Sequence, residues 1–123
     1  MLINQKVLSL SIIKKHLKAI LPHNLNLEMF EKILIKTNGA TMFNYVAEEI
    51  TDLQKAVGGL VSKHNIKDSD AYIYVNEQGW VKDLPVNNLA TKLFNQYIYG
   101  DIILCVKDRN VPIVDKLMQN MLG

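Results

Sequence analysis

The sequence has little of several residue types that would indicate a particular chemistry or compartment. Its 123 residues include one cysteine, Cys105, so no internal disulfide can form. That cysteine lies within an apolar run, Ile102–Val106, which predicts a buried and inert thiol, because a catalytic thiol needs an exposed, electropositive setting. No apolar run approaches the roughly 18 residues that a membrane-spanning helix needs.

The beginning of the chain superficially resembles a secretion leader, but lysines interrupt it where a leader stays apolar. These lysines are Lys14, Lys15 and Lys18. We therefore expect a soluble protein of the cytoplasm, without a membrane partner. The formal net charge of +2 is too small to demand a nucleic-acid partner, although it does not exclude one.

Motifs for catalysis and cofactor binding are also missing from the sequence. Neither G-x-x-x-x-G-K nor G-x-G-x-x-G occurs, so nothing supports a phosphate-binding loop. The three histidines, His16, His23 and His64, lack the spacing of metal ligands. Glu77 is a lone carboxylate in a turn, without a visible partner for acid–base catalysis. The sequence therefore predicts a protein that is not an enzyme and that holds no metal or cofactor.

What the sequence does contain is a series of start and stop signals for helices and strands. Ser9–Leu21 has apolar residues at helical spacing and ends at Pro22. Asn26 can cap a second, shorter helix. These signals predict a helical N-terminal segment.

The next segment, Lys32–Thr37, has two interpretations. It could continue the second helix, with Asn38 and Gly39 as the helix stop. It could equally be a strand that a type I′ hairpin turn at Asn38 and Gly39 joins to Ala40–Val46. We prefer the hairpin, because β-branched residues precede the Asn-Gly pair and such a pair between strands is typical of hairpins.

The rest of the chain alternates irregularly between helix and strand signals. Ile50, Leu53 and Val57 form an apolar stripe in a helix predicted over Glu48–Val57, which Gly58-Gly59 ends. The later predicted elements are strands over Leu60–His64 and Ala71–Val75, a turn over Asn76–Gly79, a return strand at Trp80 and Val81, a helix capped by Asn87, a buried strand over Ile102–Val106 and a helix beginning at Pro112.

This order predicts an α+β fold with a small antiparallel or mixed sheet of four to five strands and packed helices. We assign the whole chain, 1–123, to a single domain. Within it, residues 1–31 form a helical N-terminal extension, residues 32–107 the α+β core and residues 108–123 a C-terminal helix.

Four short motifs occur in a fixed order within this core. They are L-Q-x-x-V-G-G at 53–59, N-E-x-G at 76–79, L-P-x-N at 84–87 and the pair Gly100-Asp101. In this order and spacing, the chain over residues 32–107 resembles a family of phages, plasmids and gut bacteria called domain of unknown function thirty-eight forty-six. The resemblance implies no known activity. It implies a mobile-element setting, in which small proteins often act by binding host components.

Two groups of residues are candidates for binding. Lys14, Lys15 and Lys18 lie on one side of the first predicted helix and could contact phosphates or an acidic partner. The second group is an aromatic set, Tyr72, Tyr74, Trp80, Tyr97 and Tyr99. Tyr72 and Tyr74 share one face of a strand and, with Trp80, could form a platform on which bases stack. The competing interpretations are a solvated helix face for the lysines and a sheet face under a helix for the tyrosines.

From these observations we expect a non-enzymatic binding protein that inhibits a host defence system, of the anti-CRISPR or anti-restriction type, by covering a host protein or nucleoprotein surface. One alternative is a module that sequesters a nucleotide-like small molecule, using tyrosines for stacking and a lysine or Arg109 for the phosphate. Another is a sequence-independent nucleic-acid-binding protein. We also expect a homodimer, because Leu117, Met118, Met121 and Leu122 place apolar surface near the chain end.

Overall fold

The computed structural model describes residues 30–122, which fold around one five-stranded antiparallel sheet. The strands are β1 (Glu31–Ile35), β2 (Thr41–Met42), β3 (Val61–Asn65), β4 (Tyr72–Asn76) and β5 (Ile102–Val106), and the helices are α1 (Ile50–Val57), α2 (Asn88–Phe94) and α3 (Pro112–Leu122). The strand order is β2-β1-β5-β4-β3. The α+β prediction, with its five strands and its C-terminal helix, is confirmed.

The last strand in sequence, β5, lies in the middle of the sheet. It pairs with β1 on one side, where Ile33 faces Leu104, and with β4 on the other, where Ile73 faces the same residue. All five residues of β5 are buried. An apolar strand that is covered on both faces is the arrangement that its continuous apolar run predicted.

The two faces of the sheet are covered by different helices. Alternate residues of β1, β4 and β5 pack against α2 and α3, whose buried side chains include Ala90, Leu93, Val114 and Leu117. The opposite face packs against α1, which buries Leu53 and Val57. Leu34, Ile103 and Cys105 lie on this second face. Each helix therefore covers one face with its apolar side, as the helical spacing of these residues requires.

The β1–β2 hairpin forms, but its turn differs from the predicted type I′. Lys36 donates to the carbonyl of Ala40 and Gly39 donates to that of Lys36, at 2.9 and 3.0 Å, which is the pattern of a three-residue loop. Gly39 has φ +90°, whereas Asn38 does not have a positive φ. The Asn38 carboxamide instead accepts a hydrogen bond from Ala40 at 2.9 Å, and this bond stabilises the loop.

Helix α1 begins two residues later than predicted, and Ile50 is not part of its buried stripe. Glu49 is the N-cap of the helix, and its backbone N–H donates to the Asp52 carboxylate at 3.2 Å. Ile50 follows the cap directly and is 56% exposed, because it lies on the solvent side of the first turn. Gly58 ends the helix in the left-handed conformation, with φ +81°, as predicted.

The return strand predicted at Trp80 and Val81 does not form. Local hydrogen bonds close this segment into consecutive turns: Lys82 donates to Gln78 at 2.8 Å, and Leu84 donates to Gly79 at 3.0 Å. These bonds use backbone groups that a strand would need for pairing, so the aromatic and β-branched pair lies in a turn. The strand that pairs with β4 on the side away from β3 is β5.

The boundaries of the predicted regions change slightly. Strand β1 includes Glu31, which we had assigned to the N-terminal extension, and the last helix begins at Pro112. The predicted helices at Ser9–Leu21 and after Asn26 lie outside the described residues. Within residues 30–122, every helix is too short or too polar to cross a bilayer.

Candidate functional site

A cleft of about 280 Å³ lies at the end of β4, on the face of the sheet that carries α2 and α3. Its walls come from three separate segments of the chain: the end of β3, the end of β4 with its following turns, and the loop between α2 and β5. The lining residues are His64, Ile73, Val75, Asn76, Glu77, Gly79, Trp80, Gln96, Tyr97, Ile98 and Tyr99. The cleft is open to solvent on one side.

Two aromatic side chains at this cleft are unusually exposed. Trp80 and Tyr97 are each 75% exposed. The rings of Tyr97 and Tyr99 are nearly parallel, with centroids 6.5 Å apart. The ring–ring contacts within residues 30–122 do not include Trp80. A large aromatic side chain that stays in solvent beside other aromatic residues is typical of a binding surface.

The backbone around the cleft is held in place by buried polar contacts. The Asn76 side chain donates to the carbonyl of Val57 at 3.1 Å and accepts from the backbone of Gln78 at 2.8 Å. These bonds fix the turn that precedes Trp80. At the opposite wall, Asn87 donates its backbone N–H to Ile98 at 2.7 Å.

Close packing also fixes the distance between the two walls. A Cβ atom on Gly79 would lie 3.2 Å from both the Cβ and the carbonyl oxygen of Tyr99. The turn therefore approaches the α2–β5 loop more closely than a larger residue would allow comfortably. This contact explains the glycine of the N-E-x-G motif and sets the width of the cleft.

The polar groups of the cleft do not form a catalytic constellation. Ser62 and His64 share a hydrogen bond of 2.9 Å between Oγ and Nε2 on an exposed part of β3. Glu77 and His64 line the same open cleft, but no hydrogen bond or ion pair joins them within the described structure. A serine–histidine pair without an acidic residue to orient the ring lacks the third member that such nucleophiles use.

The structure separates the predicted stacking residues onto opposite faces of the sheet. Tyr72 and Tyr74 lie together on the α1 face, with centroids 5.4 Å apart in an edge-to-face arrangement. The Lys63 ammonium lies over the Tyr72 ring, 4.2 Å from its centroid. Trp80 instead lies beside Ile73 and Val75, whose side chains alternate to the other face. The three residues therefore do not form one platform.

Burial perturbs the ionisable groups on the α1 face. Removal from water raises the pKa of the Cys105 thiol to about 11, against a partial lowering by nearby Lys32. Burial also raises the pKa of Tyr72, and the neighbouring Cys105 and Tyr74 add to this increase. Both groups are therefore neutral near pH 7, which agrees with the prediction of an inert thiol.

Arg109, which we considered as a phosphate ligand, is engaged elsewhere. Its guanidinium donates two hydrogen bonds of 2.7 Å to the Glu31 carboxylate and lies over the Phe43 ring. Hydrogen bonding to Glu31 raises the pKa of Arg109. This bidentate pair joins the start of β1 to the loop before α3 and does not contact the cleft.

The remaining predicted site residues, Lys14, Lys15 and Lys18, lie outside the described residues, so their role stays a prediction. A group of three or more metal-binding side chains does not occur within residues 30–122. Tyr97 and Tyr99 belonged to the aromatic set that the sequence offered as a binding candidate, whereas Gln96 was not predicted as a site residue. Only the fold shows that all three line one cleft with Trp80.

Comparisons with known proteins give one result. No curated protein and no solved structure matches the chain. A model of a protein family, described as a domain of unknown function, matches residues 31–122. The match includes α3, which our sequence comparison had left outside the family pattern. The chain therefore belongs to the family of the domain of unknown function DUF3846.

Proposed function

We propose that this protein is a non-catalytic binding protein and that the aromatic cleft is its contact surface. The observation that supports this proposal best is the exposure of Trp80 and Tyr97, 75% each, at the two walls of one cleft. Tryptophan and tyrosine are enriched among the residues that contribute most to binding in protein interfaces. Both lie on a framework that buried hydrogen bonds hold in place.

Apolar residues around the cleft extend this surface. Val81 is adjacent to Trp80 and is exposed, and so is Leu60, whose carbonyl accepts a 2.8 Å hydrogen bond from Glu77 at the cleft. A core of aromatic and aliphatic side chains with a polar rim is the usual composition of a protein interface. We therefore assign the rim of the cleft, together with these neighbours, to contact with a protein partner.

The proposed partner is a component of a host defence system. This part of the proposal rests on the mobile-element setting of the family and on the small size of the chain. In this proposal the protein acts in the host cytoplasm and inhibits by occupying a surface, as anti-CRISPR and anti-restriction proteins do. The lack of a complete catalytic constellation at the cleft supports occupation over a chemical modification of the target.

Affinity capture with matched variants tests this function. The tagged protein, its Trp80→Ala/Tyr97→Ala double variant and a Leu122→Ala control are each incubated with host lysate, and the captured proteins are identified by mass spectrometry. Leu122 is exposed and apolar but lies at the end of α3. We expect one host protein to be retained by wild type and by the control and lost from the double variant. Equal capture by all three would contradict the proposal.

Two further expectations stay proposals. The nucleotide-like ligand remains a second candidate, because polar residues line the cleft beside the aromatic rings. The apolar surface of α3 that a homodimer could bury is smaller than the sequence suggested. Leu117 is buried in the core, while Met118, Met121 and Leu122 remain exposed. Light scattering that gives 14.0 kDa at micromolar concentration would argue against the dimer.

A further inference from the structure

We infer that the cleft binds one nucleobase, as a free base or nucleoside, which stacks on the Trp80 indole and places its donor-bearing edge against Glu77 and Gln96. This inference rests on the proposed use of the cleft for binding and specifies what enters it. The proposed ligand is a single flat heterocycle, and among the common bases guanine matches the hydrogen-bonding groups of the cleft best.

The size of the cleft limits what it can contain. Its volume of about 280 Å³ lies just below the roughly 300–1,000 Å³ that small-molecule sites usually occupy. One ring system, with its sugar partly in solvent, suits this volume. The open side leaves an exit for the rest of the ligand.

The aromatic walls of the cleft favour a flat ligand. Trp80 has no ring partner among the described aromatic residues, so a face of its indole is available for stacking. Tyr97 and Tyr99 provide further aromatic surface at the other wall. Stacking between a base and an aromatic side chain is a common way to hold bases, and it accepts any base.

The polar side chains at the cleft favour a heterocycle that has N–H donors on its edge. The side chains of Glu77 and Gln96 have no hydrogen bond to another described residue. His64 uses Nε2 in its bond with Ser62, which leaves its other ring nitrogen available. An ionised carboxylate only accepts hydrogen bonds, so Glu77 favours an edge with two adjacent donors, which guanine has and uracil lacks.

The charges at the cleft disfavour a phosphate. The lining residues include neither lysine nor arginine, and Glu77 is an acid. Arg109 lies outside the cleft and forms an ion pair with Glu31, with 2.7 Å between the guanidinium nitrogen and the carboxylate oxygen. A phosphate close to Glu77 would therefore experience repulsion without a compensating cation, so a nucleoside should bind more tightly than its monophosphate.

Fluorescence titration tests this inference directly, because Trp80 is the chain's only tryptophan. The full-length protein is titrated with guanosine, uridine, guanosine monophosphate and ribose. We expect saturable quenching by guanosine, weaker binding of uridine and the monophosphate, and no quenching by ribose. Glu77→Gln should weaken guanosine binding by about tenfold, since hydrogen bonds to charged groups are the stronger ones.

Glu48→Gln is the matched control, because Glu48 is an exposed acid outside the cleft. Linear, unsaturable quenching, or equal guanosine binding by Glu77→Gln and wild type, would overturn the inference. A single-stranded oligonucleotide that quenches where guanosine does not would also overturn it. If the Trp80→Ala/Tyr97→Ala variant loses its host protein while no nucleoside binds, the proposed function stands and this inference fails. If guanosine binds saturably while no host protein is captured, this inference stands and the proposed function fails.

Discussion

The side chain of Asn87 donates a hydrogen bond of 2.9 Å to the backbone carbonyl of Ile35, a residue 52 positions earlier in the chain. It donates a second bond to the carbonyl of Gly100 at 3.0 Å, and its oxygen accepts from the backbone of Ala90 at 3.1 Å. One fully buried side chain thus caps α2 and joins it to the ends of β1 and β5. This explains the asparagine of the L-P-x-N motif.

We predict that Asn87→Ala lowers the free energy of unfolding by about 2–4 kcal/mol, because it removes a helix cap and leaves two buried carbonyls without a partner. Chemical denaturation monitored by circular dichroism measures this loss. Asn88→Ala is the control, since Asn88 is exposed in the first turn of the same helix. A loss below about 1 kcal/mol would mean that water replaces the missing amide.

The V-G-G and N-E-x-G motifs meet in space. A Cβ atom on Gly59 would lie 2.9 Å from the side-chain nitrogen of Asn76, which donates a buried hydrogen bond to Val57. We therefore predict that Gly59→Ala displaces Asn76 and destabilises the fold by about 1–3 kcal/mol, the penalty of an unsatisfied buried polar group. Thermal and urea unfolding would measure this change.

A double-mutant cycle separates this clash from a general effect of adding a methyl group. In an Asn76→Ala background, the neighbour that the new Cβ would meet is shortened, so Gly59→Ala should then keep only the backbone cost of a side chain at φ +159° and destabilise less. Equal destabilisation of wild type and of the Asn76→Ala variant by Gly59→Ala would show that the contact with Asn76 is not the cause.

Sequence patterns predicted the elements whose signals are local. The alternation of Ala71–Val75, the apolar run of β5 and the glycine stop at Gly58 each correspond to an observed element. The failed strand shows where local propensity is insufficient. Trp80 and Val81 have strand propensity, but the consecutive turns after Gly79 use the backbone groups that a strand would pair, and tertiary context overrides such propensities.

The cleft could not be predicted from sequence in the same way. Its walls at His64, Trp80 and Tyr97 belong to segments that meet only because β4 lies between β3 and β5. Strand order in an antiparallel sheet depends on long-range pairing, and no local signal specifies it. The sequence therefore offered one aromatic set as a binding candidate, and only the fold separates Tyr72 and Tyr74, on the α1 face, from the members that line the cleft, Trp80, Tyr97 and Tyr99.

The lysines Lys14, Lys15 and Lys18 provide a prediction about the association rate. Reversal of all three to glutamate should slow association with an acidic or nucleoprotein partner, because steering by charge acts mainly on the rate of encounter. Surface substitutions typically change stability by no more than about 0.5 kcal/mol each, so a loss of binding without a loss of stability would indicate a contact. Surface plasmon resonance at two salt concentrations with the captured partner measures the effect.

The matched control reverses Lys55, Lys67 and Lys92, which are exposed and change the net charge by the same amount. If both triple variants slow association equally, the effect comes from net charge alone. An unchanged rate and salt dependence for the variant at Lys14, Lys15 and Lys18 would instead leave the aromatic cleft as the better candidate for the contact.

The buried thiol of Cys105 should make the fold less stable at alkaline pH. Its pKa rises from 9.0 to about 11 in the folded protein, so between these values the unfolded state loses a proton that the folded state keeps. The unfolded state then binds fewer protons, and the free energy of unfolding falls as pH rises. The full effect of this group is about 3 kcal/mol, present below pH 9 and lost by pH 11. The raised pKa of Tyr72 acts in the same direction at higher pH.

Urea denaturation at pH 8 and pH 10.5 would measure this loss in wild type and in Cys105→Val, which keeps an apolar group of similar size but cannot ionise. We expect the variant to lose less stability over this interval, since only the contribution of the thiol is removed. Ellman's reagent at pH 8 should not label the folded wild type, because the thiol is fully buried and protonated. Rapid labelling of the folded protein, or an identical pH dependence in Cys105→Val, would show that the thiol ionises in the native state.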